Sequence, residues 1–366
     1  MTGFAGLAAS EIAAFLVASA GLSALTTRVA IGYARHRNLV DLPGRRRSHT
    51  TPTPRGGGIG FVIAIIAVLI AIGWTVPNST VPVRLVASIA LVALVGWIDD
   101  HRPLPILIRL AAQFAAAIVF FWPLIAQTWM EATGAGDTSG SVIGQDIALL
   151  SALVVLCVWS INLHNFMDGI DGIVSTQAIF VLAVLGWLCW ADIRNPHGLQ
   201  IAVCAAAVAG FLLFNFPRAQ IFMGDVGSYV IGLVVFVACV WQFSSPRSVG
   251  ASGLIAVSAF LTDATCTLLW RMLSGQRWYH PHREHLYQWM TRAGMSHVRV
   301  VAWYAAWNLC IALPVIFALN RGPIGADAPR GWGAVMWFYV VAVAVWFAAR
   351  RWCASRLEKL PDRSDA

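Results

Sequence analysis

A chain of 366 residues that is 58% hydrophobic and 11% charged carries more apolar surface than one water-soluble core can hide, which excludes an ordinary soluble enzyme. Its net charge of +8 comes from 24 arginines and the single Lys359, which excludes lysine-dependent chemistry in the membrane region and leaves phosphates to planar guanidinium forks. No nucleic-acid partner is expected; the lipid bilayer is.

Apolar runs long enough to cross about 30 Å of hydrocarbon fall at 4–27, 58–76, 82–98, 110–127, 147–164, 173–191, 199–214, 227–243, 249–269, 300–319 and 332–349. They predict an all-α polytopic membrane protein with about eleven transmembrane helices in one domain, 1–366. The first run lacks the basic segment of a signal peptide and is expected to be retained. The connections alternate between two sets, one with nineteen Lys and Arg and the other with five. The positive-inside rule places the richer set in the cytoplasm, the N-terminus outside and the C-terminus inside. The seven cysteines lack metal-finger spacing and read as packing residues.

Almost every unusual polar residue falls on the predicted cytoplasmic face. The first loop holds "GRRRSHTTPTPRGGG", in which Arg45, Arg46, Arg47, Ser48, His49 and Arg55 precede three glycines. They offer donors beside an approachable backbone, although an ordinary positive-inside anchor has the same composition. Asp99 and Asp100 end the third run, either as a simple helix stop or as carboxylates that bind a metal or accept a proton from an attacking phosphate. A phosphate monoester has a second pKa of about 6, so orientation is expected to matter more than basicity.

The stretch "NLHNFMDGIDGI" spaces Asn162, Asn165, Asp168 and Asp171 by three, which sets them along one drifting face if the helix continues. Two carboxylates this close, near lipid, call for a cation unless they face the cytosol as a solvated helix end. A hard divalent ion is the natural partner: Mg2+, with Mn2+ as a substitute. Asp225, in "MGDVGS", alone reads as a helix cap; beside the other acids it becomes a third carboxylate group on one face. In the last loop His280, His282, Arg283 and His285 are expected to hydrogen-bond phosphate, since histidines suit softer metals than these acids do. Asp263, two turns before Arg271 in a span, is expected to face the bundle interior, as a structural pair or a support for the site.

Taken together, "PTPRGGG", "WIDD", "NFMDGIDGI", "FMGDVGS" and "HREHL" resemble the polyprenyl-phosphate N-acetylhexosamine-1-phosphate transferases of glycosyltransferase family 4, in the family's order and over residues 40 to 290. The nearest look is to the branch that initiates O-antigen. The resemblance implies magnesium-dependent transfer of a sugar 1-phosphate from a UDP-N-acetylhexosamine to undecaprenyl phosphate, with release of UMP. It also implies a first step in surface-polysaccharide (lipopolysaccharide) synthesis at the bacterial inner membrane. By motif position Asp225 resembles the magnesium-binding acid, with Asp168 as a second metal or catalytic carboxylate beside Asp171. Asn162 and Asn165 match amides of that motif, Asn215 a position near the nucleotide, and Phe222 the aromatic under uracil. Asp99, next to Asp100, resembles the residue that handles the lipid phosphate, and His285 the first histidine of the late loop. Two departures stand out. Tyr287 and Gln288 replace two further histidines, and the lysines of several relatives are missing, which leaves Arg55 or Arg109 as substitutes. The rival reading is a proton-coupled transporter, which would place acids near the midplane and inside repeats. Assembly, up to a homodimer, is left open.

Overall fold

In hydrocarbon only a helix satisfies every backbone N–H and C=O within one segment, and the described part of each predicted apolar run is mostly helical in the computed structural model. The structure describes residues 7–42, 51–76, 81–132, 140–191, 197–244, 250–277, 282–321 and 328–358. The first half contains α1 (Ala9–His36), α2 (Ile59–Thr75), α3 (Val83–His101), α4 (Ile106–Ala132) and α5 (Gly140–Met167). Next come α6 (Ile173–Ala191), α7 (Gly198–Asn215), α8 (Asp225–Phe243), the short α9 (Ser252–Ala256) and α10 (Ser258–Leu273). Helix α11 (Leu286–Arg292) is followed by α12 (His297–Ala306), which runs through a π turn (Trp307–Ala312) into α13 (Leu313–Asn320), and the described chain closes on α14 (Ala328–Leu357). A two-residue ladder, β1 (Val40–Asp41) with β2 (Thr53–Pro54), is antiparallel.

Eight helical spans among the described residues are long and apolar enough to cross a bilayer, so the chain is a polytopic membrane protein. The other three runs fall short for identifiable reasons. Helix α2 has 17 residues, α3 carries Arg84 near its start and Asp99 and Asp100 at its end, and the ninth run breaks at Val257 between α9 and α10.

Helix α8 is the axis of the bundle: 72% of its apolar window is buried, against 22% for α4 and α14, whose flanks are left for lipid. Helices α2, α3, α5 and α6 pack on it. They approach so closely because small residues meet at the crossings. A Cβ at Gly58 would lie 2.3 Å from Gly227 Cα, and one at Gly232 would lie 2.5 Å from Ile161 Cα. Both obstacles are backbone and cannot swing aside. Gly58→Ala is therefore expected to cost about 3 kcal/mol or more, the upper range for overpacking, and to appear as loss of the monodisperse peak on size exclusion in detergent. A variant with wild-type thermal stability would contradict this crossing.

The start of α8 is also where loops converge. Phe222 N–H donates to the Pro54 carbonyl at 2.8 Å, and the Gly57 and Gly58 N–H groups donate to the Phe222 and Met223 carbonyls at 2.9 and 2.8 Å. The first loop and the α7–α8 loop are thus joined like paired strands.

Candidate active site

Asp100 closes α3 with its carboxylate aimed at the N-terminus of α8. It accepts from the backbone N–H of Asp225 at 3.0 Å and of Val226 at 3.1 Å, donors that a helix start leaves without internal partners. Gly224 before them has φ +75 and a Cβ there would sit 2.5 Å from the Asp100 carboxylate, so the turn requires glycine twice over. Arg55 completes the joint. Its Nε donates to the Asp100 carbonyl at 2.9 Å and its Nη2 to the Asp99 carbonyl at 3.2 Å, so a cation stands at the negative end of α3.

This joint leaves the Asp225 side chain at the mouth of α8, where Asn165 Nδ2 donates to Oδ1 at 2.6 Å and also reaches Ser228 Oγ at 3.1 Å. Asn215 holds the neighbouring turns: Oδ1 accepts from Gly172 N–H at 3.0 Å and Nδ2 donates to the Ile221 carbonyl at 3.1 Å. Asp171 Oδ2 accepts from Ala219 N–H at 3.2 Å and lies 3.3 Å from His297 Nδ1. Asp168 differs, in that no side chain or backbone donor among the described residues hydrogen-bonds its carboxylate. Burial, reinforced by the charges of Asp100 and Asp171, raises that carboxyl to about 7.

These residues share one polar cavity of about 390 Å³ at one end of the bundle. Nine sequence-derived residues line it. Arg55, Asp100, Asn165, Asp168 and Asp171 come from the first half, and Asn215, Phe222, Asp225 and Arg283 from the second. Four others do not line it. Asp99 turns to Arg109 Nη1 at 3.2 Å. Asn162 donates to Gln113 Oε1 at 2.6 Å. His285 is buried in a stack between Phe166 and Tyr287, with ring centroids 6.3 and 6.1 Å away. His282 lies beside it at 4.9 Å. Burial, then the neighbouring His285 and Arg271, lowers His282 to about 4, and burial also lowers His285, so both rings are neutral at pH 7. Arg45, Arg46, Arg47, Ser48, His49 and His280 lie outside the described residues.

Sequence reasoning missed Asp41, Thr291 and Arg292 on the cavity wall and named Gln288 only as a departure from the family pattern. Gln288, Thr291 and Arg292 carry a signal that was available, since they stand at i, i+3 and i+4 and so on one face of α11. Nothing local marks Asp41.

The donor set suits a hard ion better than a soft one. Among the described residues no three His, Cys, Asp or Glu side chains form a ready-made cage, which disfavours a structural transition-metal site. An unpartnered Asp168 carboxylate and the Asp225 carboxylate on one cavity fit magnesium, which keeps waters, takes one or two protein carboxylates and completes its shell from substrate phosphates.

Comparison with known proteins agrees with this arrangement. The model of glycosyl transferase family 4 matches residues 82–242, the segment from α3 through α8. Decaprenyl-phosphate N-acetylglucosaminephosphotransferase of Mycobacterium leprae is 29% identical over 91% of this chain and 88% of its own length. The protein of that name from Mycolicibacterium smegmatis is 30% identical over 84% and 89%. Undecaprenyl-phosphate alpha-N-acetylglucosaminyl 1-phosphate transferase of Escherichia coli is 25% identical over 72% of each chain. Similarity to such relatives over most of the chain, with acids from three separate loops gathered at one end of the bundle, makes this chain a member of glycosyl transferase family 4, within the polyprenyl-phosphate N-acetylhexosamine-1-phosphate transferases.

Proposed function

We propose that the protein transfers an N-acetylhexosamine 1-phosphate from its UDP-sugar to a polyprenyl phosphate and releases UMP. The observation that carries this is a single cavity lined by Asp168, Asp225, Arg55 and Arg283 from four distant stretches of chain, at the helix N-terminus of α8. Anionic groups are favoured at such a terminus; Arg283 and Arg292 on the wall have the fork geometry for phosphate oxygens, while Arg55 is committed to the Asp99 and Asp100 carbonyls. The names of the relatives support the sugar and the lipid class. They include both decaprenyl and undecaprenyl acceptors, so undecaprenyl phosphate is one of two chain lengths to assay. The eleven-span arrangement, with the cavity at the cytoplasmic face of a bacterial inner membrane, rests on the arginine asymmetry of the loops.

In this reading an oxygen of the dianionic lipid phosphate attacks the sugar-bearing β-phosphorus in line. The new P–O bond forms as the bond to UMP breaks, and no proton need be removed from the nucleophile. Arg283 and Arg292 meet the diphosphate oxygens, Phe222 offers a face to the uracil, and Arg55 with Asp100 fixes the mouth of α8. Asn165 holds the Asp225 carboxylate in place, and Asp225 and Asp168 would hold a magnesium ion. When bound, that ion neutralises charge on the diphosphate. Catalysis is then mainly positioning and electrostatics. The proposed place for such a product is the first step of surface-polysaccharide assembly, O-antigen included. The transporter alternative gains nothing from carboxylates gathered at one end of the bundle.

The test is UMP release by detergent-purified protein, offered a panel of UDP-N-acetylhexosamines with decaprenyl or undecaprenyl phosphate. One or more sugars should give lipid-dependent UMP, lost on chelation with EDTA and restored by Mg2+. Purified protein that consumes no UDP-sugar with either lipid, or whose turnover ignores EDTA, would refute the proposal.

A further inference from the structure

Asp263 is 1% exposed within α10, away from the polar cavity. Five donors converge on it. Thr267 Oγ1 donates at 3.2 Å, Tyr304 Oη at 2.7 Å and Trp346 Nε1 at 3.1 Å, while the backbone N–H groups of Leu286 and Tyr287 donate at 2.6 and 3.4 Å. Burying a carboxylate costs several kcal/mol unless such bonds compensate it, so its presence asks for a purpose that an apolar residue could not serve. The two backbone donors identify the purpose. They are the first N–H groups of α11, which the helix itself cannot satisfy.

Helix α11 has seven residues, below the roughly 12–15 at which a helix begins to hold itself in water, so tertiary contacts decide where it stands. It is also a partition. Gln288, Thr291 and Arg292 face the polar cavity, while Leu286 and Met290 face an apolar cavity of about 560 Å³ on the other side. We propose that Asp263 is a positioning residue, which ties the start of α11 to α10, α12 and α14 and so sets where Arg283, Gln288 and Arg292 stand opposite Asp168.

Two further contacts belong to the same brace. Glu284, just before α11, pairs with Arg271 of α10 and lies 3.8 Å from Arg350 of α14. The Arg350 guanidinium in turn stands 5.1 Å over the Trp289 ring and 5.2 Å over Trp346. On the opposite side Tyr287 Oη donates to the Phe166 carbonyl at 3.1 Å, beside the loop that carries Asp168. The acid therefore aligns one wall of the cavity with the other, and it does so from a helix that contributes no wall itself.

The inference rests on the transferase reading, and its test separates the two. Full-length wild type and Asp263→Asn are purified in detergent. UDP-N-acetylglucosamine is titrated into each by calorimetry, and UMP release is measured while donor and polyprenyl phosphate are varied in turn. Loss of a supporting partner of this kind is worth about 10–100-fold. Asp263→Asn should raise the donor Kd and KM at least tenfold and leave the lipid KM within twofold. A purely structural acid would instead lower thermal stability and shift both KM values together, and that result, or a donor Kd within twofold of wild type, overturns the proposal. Should Asp263→Asn not fold, the double variant Tyr304→Phe, Trp346→Phe removes two of the five donors and keeps both rings. It should raise the donor KM at least threefold with the lipid KM unchanged, and no change would equally overturn it. Wild type that neither binds UDP-N-acetylglucosamine nor releases UMP from any UDP-sugar defeats the transferase reading, and the inference with it.

Discussion

Asp225→Asn is expected to lower UMP release by about a hundred- to a thousandfold, the size seen when one preorganised charge-stabilising group is removed, while the protein remains folded. The fold should survive because the change is confined to charge. The Asp225 N–H would still donate to Asp100, and an amide oxygen could still accept from Asn165 Nδ2, now 2.6 Å from Oδ1. What disappears is one of the two cavity carboxylates proposed to hold the ion; among the other acids on the wall, Asp100 and Asp171 already accept backbone N–H groups. Chemistry that depends on a cation between the proposed pair and a diphosphate cannot then be recovered by neighbours, since Asp100 already spends its oxygens on α8. Raising Mg2+ should recover part of the activity at most. Activity within tenfold of wild type at ordinary Mg2+ would remove Asp225 from the mechanism.

Gly169→Ala tests the wall opposite. Its new Cβ would lie 2.1 Å from Tyr287 Oη and 2.9 Å from Cζ. Tyr287 is 1% exposed and its hydroxyl is committed to the Phe166 carbonyl, so the ring has nowhere to turn. Either α11 or the Asp168 loop must retreat by about 1 Å, and displacement on that scale costs on the order of a hundredfold in rate. The fall should appear in UMP release without loss of the folded peak on size exclusion. Adding Tyr287→Phe removes the atom at 2.1 Å, so the double variant should regain at least tenfold over Gly169→Ala. A single variant with wild-type turnover would mean that the gap between α11 and the loop is slack.

Much of the molecule is legible in one dimension because a membrane imposes a local rule. A run that crosses hydrocarbon must satisfy its own backbone, so each apolar stretch announces a helix, and the break at Val257 or the charges at the ends of α3 alter only how well it qualifies as a span. The loops that hold Arg55, Asp168, Asp225 and Arg283 could be ranked by composition alone, because polar residues beside lipid are costly without a use.

Which side chain of a pair faces the cavity is another matter. Asn162 and Asn165 lie three residues apart, about 60° round a helix from one another; that turn sends one to Gln113 and the other to Asp225. Asp99 and Asp100 are adjacent, yet one goes to Arg109 and the other caps α8. The partners of Asp263 lie on four helices up to 83 residues away. Spacing along the chain determined that helices would span the membrane and that acids, amides and arginines would meet near one face of it. Packing between distant helices alone decided which of them stay open to a ligand, because a hydrogen-bond partner is chosen by proximity in space, and local sequence carries no record of that.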